Sequence, residues 1–238
     1  MRQDSYGLEA YSLYQDRSMT DIAVFDGGDL RLPPGDPRPA LQRIERQTAD
    51  IMGDNKIPGM IGGEHLVTLG AVRAVAAKHP DAHIIQFDAH ADLRDTCFGQ
   101  KLSHGSVLRR CHDVLGDGRI HQFGIRSISR GEKTWAEGRV RMQPFDFTGL
   151  AATVDALGGK PVYLTLDLDV LDPSVLPGTG TPDAGGVTFH QLLEACLVVA
   201  EANVVGFDIC ELSPPLDPSG ASTAAACKIL RELLLALG

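Results

Sequence analysis

Two β-type runs that each end in a cluster of aspartates set the strongest limit on what this chain can fold into. His83-Ile-Ile-Gln-Phe87 leads into Asp88-Ala-His90-Ala-Asp92, and Val162-Tyr-Leu-Thr-Leu166 leads into Asp167-Leu-Asp169. Neither run alternates apolar and polar residues, so both read as strands buried on two faces, the kind found in parallel sheets covered by helices. In such sheets ligands bind beyond the carboxyl ends of the strands, and that is where both aspartate clusters fall. If the extended backbone continues, side chains alternate sides with period two. Asp88, His90 and Asp92 then point one way, as do Asp167 and Asp169. Four carboxylates crowded together repel one another unless a cation holds them. Mixed carboxylate and imidazole donors suit manganese, iron, cobalt or zinc. The pattern predicts a two-metal hydrolase.

The rest of the chain supports an α/β alternation. Asp21-Ile-Ala-Val-Phe25 reads as a short strand, Pro33–Pro39 as a loop, and Ala40–Met52 as an amphipathic helix. Ile57–Ile61 reads as a strand ending in a glycine turn, followed by a helix over Leu66–Lys78 and the strand that ends at Phe87. A helix near Ser103–Leu115, a strand Ile120–Gly124, a helix around Ser129–Glu137 and a minor strand near Val140 come next. After a further helix and the strand Val162–Leu168, Asp172–Gly186 forms a long Pro/Gly-rich loop. Thr188 and Gln191 form a capping box for a helix running to about Ala200; a strand Val204–Ile209 and an apolar helix Ser222–Leu237 close the chain. All 238 residues are read as one α/β domain with a three-layer arrangement, a parallel sheet with helices on both faces.

A net charge of −9 without a Lys/Arg run excludes nucleic acid and anionic membrane as natural partners and tolerates a cationic small substrate. The five cysteines show neither C-x-x-C spacing nor a disulfide framework and read as reduced thiols. With no signal segment or membrane-spanning run in the sequence, a soluble cytoplasmic protein is expected.

The motifs Gly62-Gly-Glu-His65, Asp88-Ala-His90-Ala-Asp92, Ser103-His104-Gly105, Thr165-Leu-Asp167-Leu-Asp169-Val-Leu-Asp172-Pro173, Pro177-Gly-Thr-Gly-Thr-Pro-Asp183-Ala-Gly-Gly186 and Asp208-Ile-Cys-Glu211-Leu-Ser-Pro214 together resemble the ureohydrolase (arginase/agmatinase) family. Pro177–Gly186 and Gly124-Ile-Arg-Ser127 look most like its agmatinase branch. The resemblance covers nearly the whole chain. It implies an arginase-like fold and a centre of two manganese ions per chain, other divalent ions being open. By resemblance, His65 and Asp92 bind one ion, His90 and Asp169 the other, and Asp88 and Asp167 approach both. Asp92 then passes a proton to the leaving amine, His104 shuttles protons to solvent, and Glu211 pairs with the substrate guanidinium. Asp183 faces the substrate tail, whereas Asp172 shapes its loop through an Asx turn. The remaining histidines read as structural.

The expected reaction is hydrolysis of a guanidino group to urea and an amine, agmatine to putrescine and urea. The alternatives are 4-guanidinobutyrate as substrate, a single-zinc deacetylase on a related scaffold, or an inactive relative acting as a binding subunit. The family further implies a homo-oligomer, a trimer or hexamer. Relatives carry residues ahead of the segment matching Arg2–Glu9, including a first strand, so an N-terminal strand is expected to be missing from the sheet. Gly-Glu-His in place of the commoner Gly-Asp-His reads as a mild change.

Overall fold

The structure is a computed structural model and describes residues 1–238. A short antiparallel hairpin, β1 (Tyr11–Ser12) with β2 (Arg17–Ser18), precedes helix α1 (Pro37–Gly53). The chain then alternates β3 (Gly59–Ile61), α2 (Val67–Lys78), β4 (His83–Phe87), α3 (Val107–Leu115), β5 (Ile120–Ile125), α4 (Arg130–Ala136) and β6 (Val140–Pro144). It finishes with α5 (Leu150–Leu157), β7 (Pro161–Asp167), α6 (Phe189–Ala200), β8 (Asn203–Cys210) and α7 (Ala221–Leu237). Strands β3 to β8 form one six-stranded sheet in the order β3-β8-β7-β4-β5-β6, and every pairing in it is parallel.

The sheet's central strands are buried along their length, apart from Pro161 at the start of β7, which is why β4, β5 and β7 carry no alternation to read. Two apolar clusters cover its two faces. One joins Ile85, Phe87, Leu164 and Leu166 to α5, α6 and α7; the other joins Ile84, Ile120 and Tyr163 to α1, α2 and α3. On α1 the buried residues Leu41, Ile44, Thr48 and Met52 recur every three to four positions, as a helix with one buried stripe requires. That stripe packs tightly on α2: a Cβ added at Gly70 would lie 2.9 Å from the Ile44 side chain.

The expected elements appear with ends shifted by a few residues, with one exception. Asp21–Phe25 is not a strand. Ser18 and Asp21 instead close a capping box on a 3-10 turn (Met19–Asp21), and residues 22 to 36 have no regular structure. Phe25 is 91% exposed. β-type residues form a strand only where a neighbouring strand supplies pairing and burial, and here none does. The hairpin β1–β2, unmarked in the sequence, is held instead by Glu232 of α7, a fully buried carboxylate that accepts from Ser12 Oγ at 2.6 Å and Gln15 Nε2 at 2.8 Å. All five cysteines are buried and free. No helix is long and apolar enough to cross a membrane.

Candidate metal centre and active site

The carboxyl ends of β4, β7 and β8, with the turn after β3, bring the six predicted metal-binding residues and Glu211 together, but not by continued extended backbone. Strand β4 stops at Phe87, and Asp92 has φ +54°, a left-handed conformation that alternation does not foresee. Asp167 is the last residue of β7, and Asp169 lies in the 3-10 turn Leu168–Val170. The close approach is made possible by Gly124 of β5, at φ +85°, where a Cβ would stand 2.7 Å from Val170 Cγ2 and 3.2 Å from the Asp88 carbonyl.

Each of three carboxylates is anchored through backbone donors. Asp88 Oδ1 accepts from His90 N at 2.6 Å, Asp167 Oδ1 from Asp169 N at 2.9 Å, and Asp169 Oδ1 from Ala89 N at 3.1 Å. Asp88 Oδ2 accepts from Gln86 Nε2 at 2.7 Å, and Gln86 is in turn held by Gln122. The histidines face what these anchors leave. His65 Nδ1 stands 3.2 Å from one oxygen of each of Asp88, Asp92 and Asp167. His90 Nδ1 lies 2.9 Å from Asp169 Oδ2 and 3.5 Å from Asp88 Oδ1. Two sets, His65/Asp88/Asp167 and Asp88/His90/Asp169, each present donor atoms within 4.8 Å of one another, and Asp88 belongs to both.

The electrostatics of this cluster are frustrated without a cation. Burial first, and then the charges of Asp169 and Asp88, push Asp167 well above the ordinary carboxylate range. Burial and Asp88 raise Asp169 likewise, and raise Asp92 to about 7. Against the cost of burial, His65 and His90 hold Asp88 below its ordinary value. Burial also disfavours a charged ring on either histidine, yet the carboxylates override it, raising His65 well above normal and His90 to about 11. Divalent ions would relieve this repulsion. The residues fit such ions on a further observation: buried His65 Nδ1 has no hydrogen-bond partner, because none of its three carboxylate neighbours lies in line with it. A nitrogen aimed between three carboxylates is a donor set with a common focus.

A cleft of about 410 Å³ opens over this cluster, lined among others by His90, Asp92, Asp167, His104, Thr181 and Glu211. Glu211 follows β8 at φ +66°. Its Oε1 accepts from His65 N at 2.7 Å, so the same carboxylate lines the cleft and fixes the start of the His65 turn. Burial raises its pKa. His104 sits at the cleft mouth, 40% exposed, with Nδ1 3.1 Å from Glu64 Oε1. Its own backbone N–H also donates to Glu64. The pairing with Glu64 raises the His104 pKa. Glu64 is therefore joined to the candidate site through His104, a contact the Gly-Glu-His motif does not reveal; its only sequence signal is its place beside His65. Glu132, buried at the cleft wall and accepting from Leu93 N and Ser129 Oγ, also closes the cap of α4 with Ser129 and was not singled out in the sequence.

Asp183 departs from expectation. It does not line the cleft, and its backbone carbonyl is taken by Arg126 Nη2 at 2.7 Å. The same guanidinium binds the carbonyl of Asp169 at 2.7 Å and that of Val170 at 3.2 Å, tying the Pro177–Gly186 loop to the metal-ligand turn. Thr181, two residues earlier, is the loop residue that reaches the site, at 3.3 Å from Asp169 Oδ2. Asp172 makes the Asx turn, accepting from Ser174 N and from Gly185 and Gly186 N, bonds that with the Ser174 hydroxyl lower its pKa to about 2. His83 and His121 lie buried far down the sheet, at the first residue of β4 and the second of β5, with Nδ1 and Nε2 3.1 Å apart.

Comparison with known proteins gives a consistent answer. The arginase family profile matches residues 1–236. An agmatinase of Bacillus subtilis (strain 168) is 43% identical over 239 residues, covering 99% of this chain and 82% of the relative. A guanidinobutyrase of Pseudomonas aeruginosa is 31% identical, covering 100% of this chain and 78% of the relative. A crystal structure from Clostridium difficile, provisionally named an agmatinase, superposes with a TM-score of 0.96 at 46% identity, covering 99% of this chain and 87% of that one.

Proposed function

The chain belongs to the arginase family, and we propose that within it this ureohydrolase cleaves agmatine to putrescine and urea at a centre of two manganese ions. The observation that carries the reading is the anchoring of Glu211 on the backbone of His65, with His65 Nδ1 facing three carboxylates. One carboxylate able to bind a guanidinium thus stands directly beside a donor set able to hold metal. Its names among relatives, agmatinase at 43% identity above guanidinobutyrase at 31%, favour the agmatine substrate.

His65, Asp88, Asp92 and Asp167 would hold one ion, and Asp88, His90, Asp167 and Asp169 the other. When bound, the ions would supply Lewis acidity and bring the pKa of a shared water toward neutral, which a resonance-stabilised guanidinium carbon demands of its nucleophile. The chain's own residues do the rest. Glu211 pairs with the guanidinium through the carboxylate oxygen not committed to His65 N and fixes its orientation. Asp92, facing His65 at the floor of the cleft, passes a proton to the leaving nitrogen. His104, half exposed at the mouth, relays protons between the site and solvent while Glu64 holds its ring in place.

One observation favours 4-guanidinobutyrate as a second reading. Arg94 lines the same cleft and would attract a carboxylate tail, although Glu132 Oε2 stands 3.6 Å from its Nε and offsets the charge. Urea release by the manganese-loaded protein on agmatine, with 4-guanidinobutyrate and a chelated control alongside, separates the two. Urea from agmatine, abolished by chelation, is the expected result. Urea from 4-guanidinobutyrate alone would transfer the assignment to that substrate, and no urea from either would refute both. In solution the protein is expected to be a trimer or hexamer.

A further inference from the structure

Beneath the cleft, on the side away from substrate, lies a buried network that touches no proposed metal ligand except His65. Asp208 of β8 is fully buried. Its Oδ2 accepts from Thr68 Oγ1 at 2.8 Å and from Tyr163 OH at 2.7 Å, and its Oδ1 accepts from Thr165 Oγ1 at 2.7 Å. No cation contacts it. Three hydroxyl groups, from α2 and from two positions of β7, thus spend their single protons on one carboxylate, the arrangement that satisfies a buried acceptor.

That expenditure has a directional consequence. Thr165 Oγ1 is 2.9 Å from His65 Nε2 and 3.3 Å from Thr68 Oγ1. With its own proton given to Asp208, the Thr165 oxygen can only accept from the ring, and Thr68 has no second proton to offer. In the neutral ring that a metal ligand requires, the proton of His65 must therefore sit on Nε2, leaving Nδ1 as the end that can give a lone pair. Nδ1 is the nitrogen that faces Asp88, Asp92 and Asp167. Were the chain of hydroxyls reversed, Thr165 would donate to Nε2, and the ring would offer a proton instead of a lone pair to the donor focus.

We propose that Asp208, acting through Thr165, is a positioning residue that holds His65 with its proton on Nε2 and its lone pair on Nδ1 directed at the metal position. The inference rests on the metal-centre reading above but not on the identity of the substrate. It explains why a carboxylate is buried with no ion pair: Asp208 is the sink that orders three hydroxyl protons. Asp208 neither touches substrate nor ligates metal in this scheme, and its influence on turnover is exerted through His65 alone.

The test is manganese binding to the metal-stripped full chain by calorimetry, for the wild type and for Thr165→Val, Thr165→Ser and Asp208→Asn. Thr165→Val keeps the volume but leaves Nε2–H without an acceptor. Asp208→Asn offers an amide hydrogen where the carboxylate only accepted, freeing the Thr165 proton to turn toward Nε2. Both should weaken manganese affinity about tenfold or more, the scale of lost outer-shell partners. Thr165→Ser should restore wild-type affinity. A second readout uses zinc-loaded protein labelled with 15N-histidine, in which His65 should show a protected Nε2–H that Thr165→Val abolishes. A purely structural role would lower the melting temperature of the variants without changing the affinity of the folded protein. Wild-type affinity in both Thr165→Val and Asp208→Asn would overturn the proposal, as would failure of Thr165→Ser to restore it. If the wild-type chain itself binds no manganese, the metal centre falls instead, an outcome separable from the other two.

Discussion

Single side chains in this site carry two duties at once, and substitutions can part them. Glu211 Oε1 receives the His65 backbone N–H, while the carboxylate as a whole is placed to meet a guanidinium. Glu211→Gln keeps an oxygen for the backbone bond and removes the charge. Metal content should be unchanged while kcat/KM falls about a hundredfold or more, the worth of a charge-assisted contact made at the reacting group. Metal analysis with steady-state kinetics checks both halves, and loss of metal in this variant would refute the assigned role. Glu64 and His104 give a pH signature. Glu64 raises the His104 pKa above its ordinary value, so Glu64→Gln should let it fall back, and any limb of the kcat profile set by His104 should move to lower pH. An unmoved limb would show that His104 does not set it. Neither duty was legible in the motifs. Family resemblance singled out Glu211 and His104 as candidates, but contacts between residues 64 and 104, or 65 and 211, exist only between segments that follow separate strands.

At the level of elements, the alternation of strand and helix was legible because burial on both faces leaves continuous apolar runs, and because the Thr188/Gln191 cap marks a helix start. Where reading failed, a partner was missing or unseen. Asp21–Phe25 has strand-forming residues and no strand beside it, while the β1–β2 hairpin depends on Glu232, more than two hundred residues away. The Pro177–Gly186 loop shows the same dependence. Its sequence announces a loop but not that Arg126, at the end of β5, binds carbonyls of Asp169, Val170 and Asp183. Arg126→Met would leave the Asp169 and Asp183 carbonyls without a donor, while that of Val170 keeps its bond from Val187 N. The expected cost is on the order of 3 kcal/mol in denaturant unfolding, since hydrogen bonds to a charged donor are worth more than neutral ones. Manganese affinity should also fall, because the Asp169 turn loses its brace. A variant with unchanged stability and affinity would show that the loop is held by other contacts.

For the molecule as a whole, acid stability should be governed in part by a histidine pair far from the cleft. Burial is the chief cause that lowers His83 and His121 to about 4, with nearby positive charge adding to it. In the unfolded chain both return to about 6.5. The unfolded state then binds more protons than the folded one at any pH between these values. The pair's contribution is therefore fully present above about pH 6.5 and is lost as pH falls toward 4. For the two groups together the loss is on the order of several kcal/mol. Denaturant unfolding at pH 7 and pH 5 should show a smaller difference for His83→Gln than for the wild type. An equal difference would place the acid sensitivity elsewhere.

What the sequence determined by itself was the class of fold and the kinds of groups gathered at one edge of it. Apolar runs ending in aspartates specify a covered parallel sheet, and they place at its carboxyl edge carboxylates and imidazoles that could hold a cation, because both follow from local composition and the cost of burying polar groups. The tertiary structure alone decided how those groups meet. Asp92 reaches the cluster through a left-handed turn instead of an extended one, Arg126 holds the backbone carbonyl of Asp183, and Thr165, itself bonded to Asp208, meets His65 Nε2 while Nδ1 faces the carboxylates. Positions of this kind are set by contacts between distant segments, which come into existence only when the chain has folded.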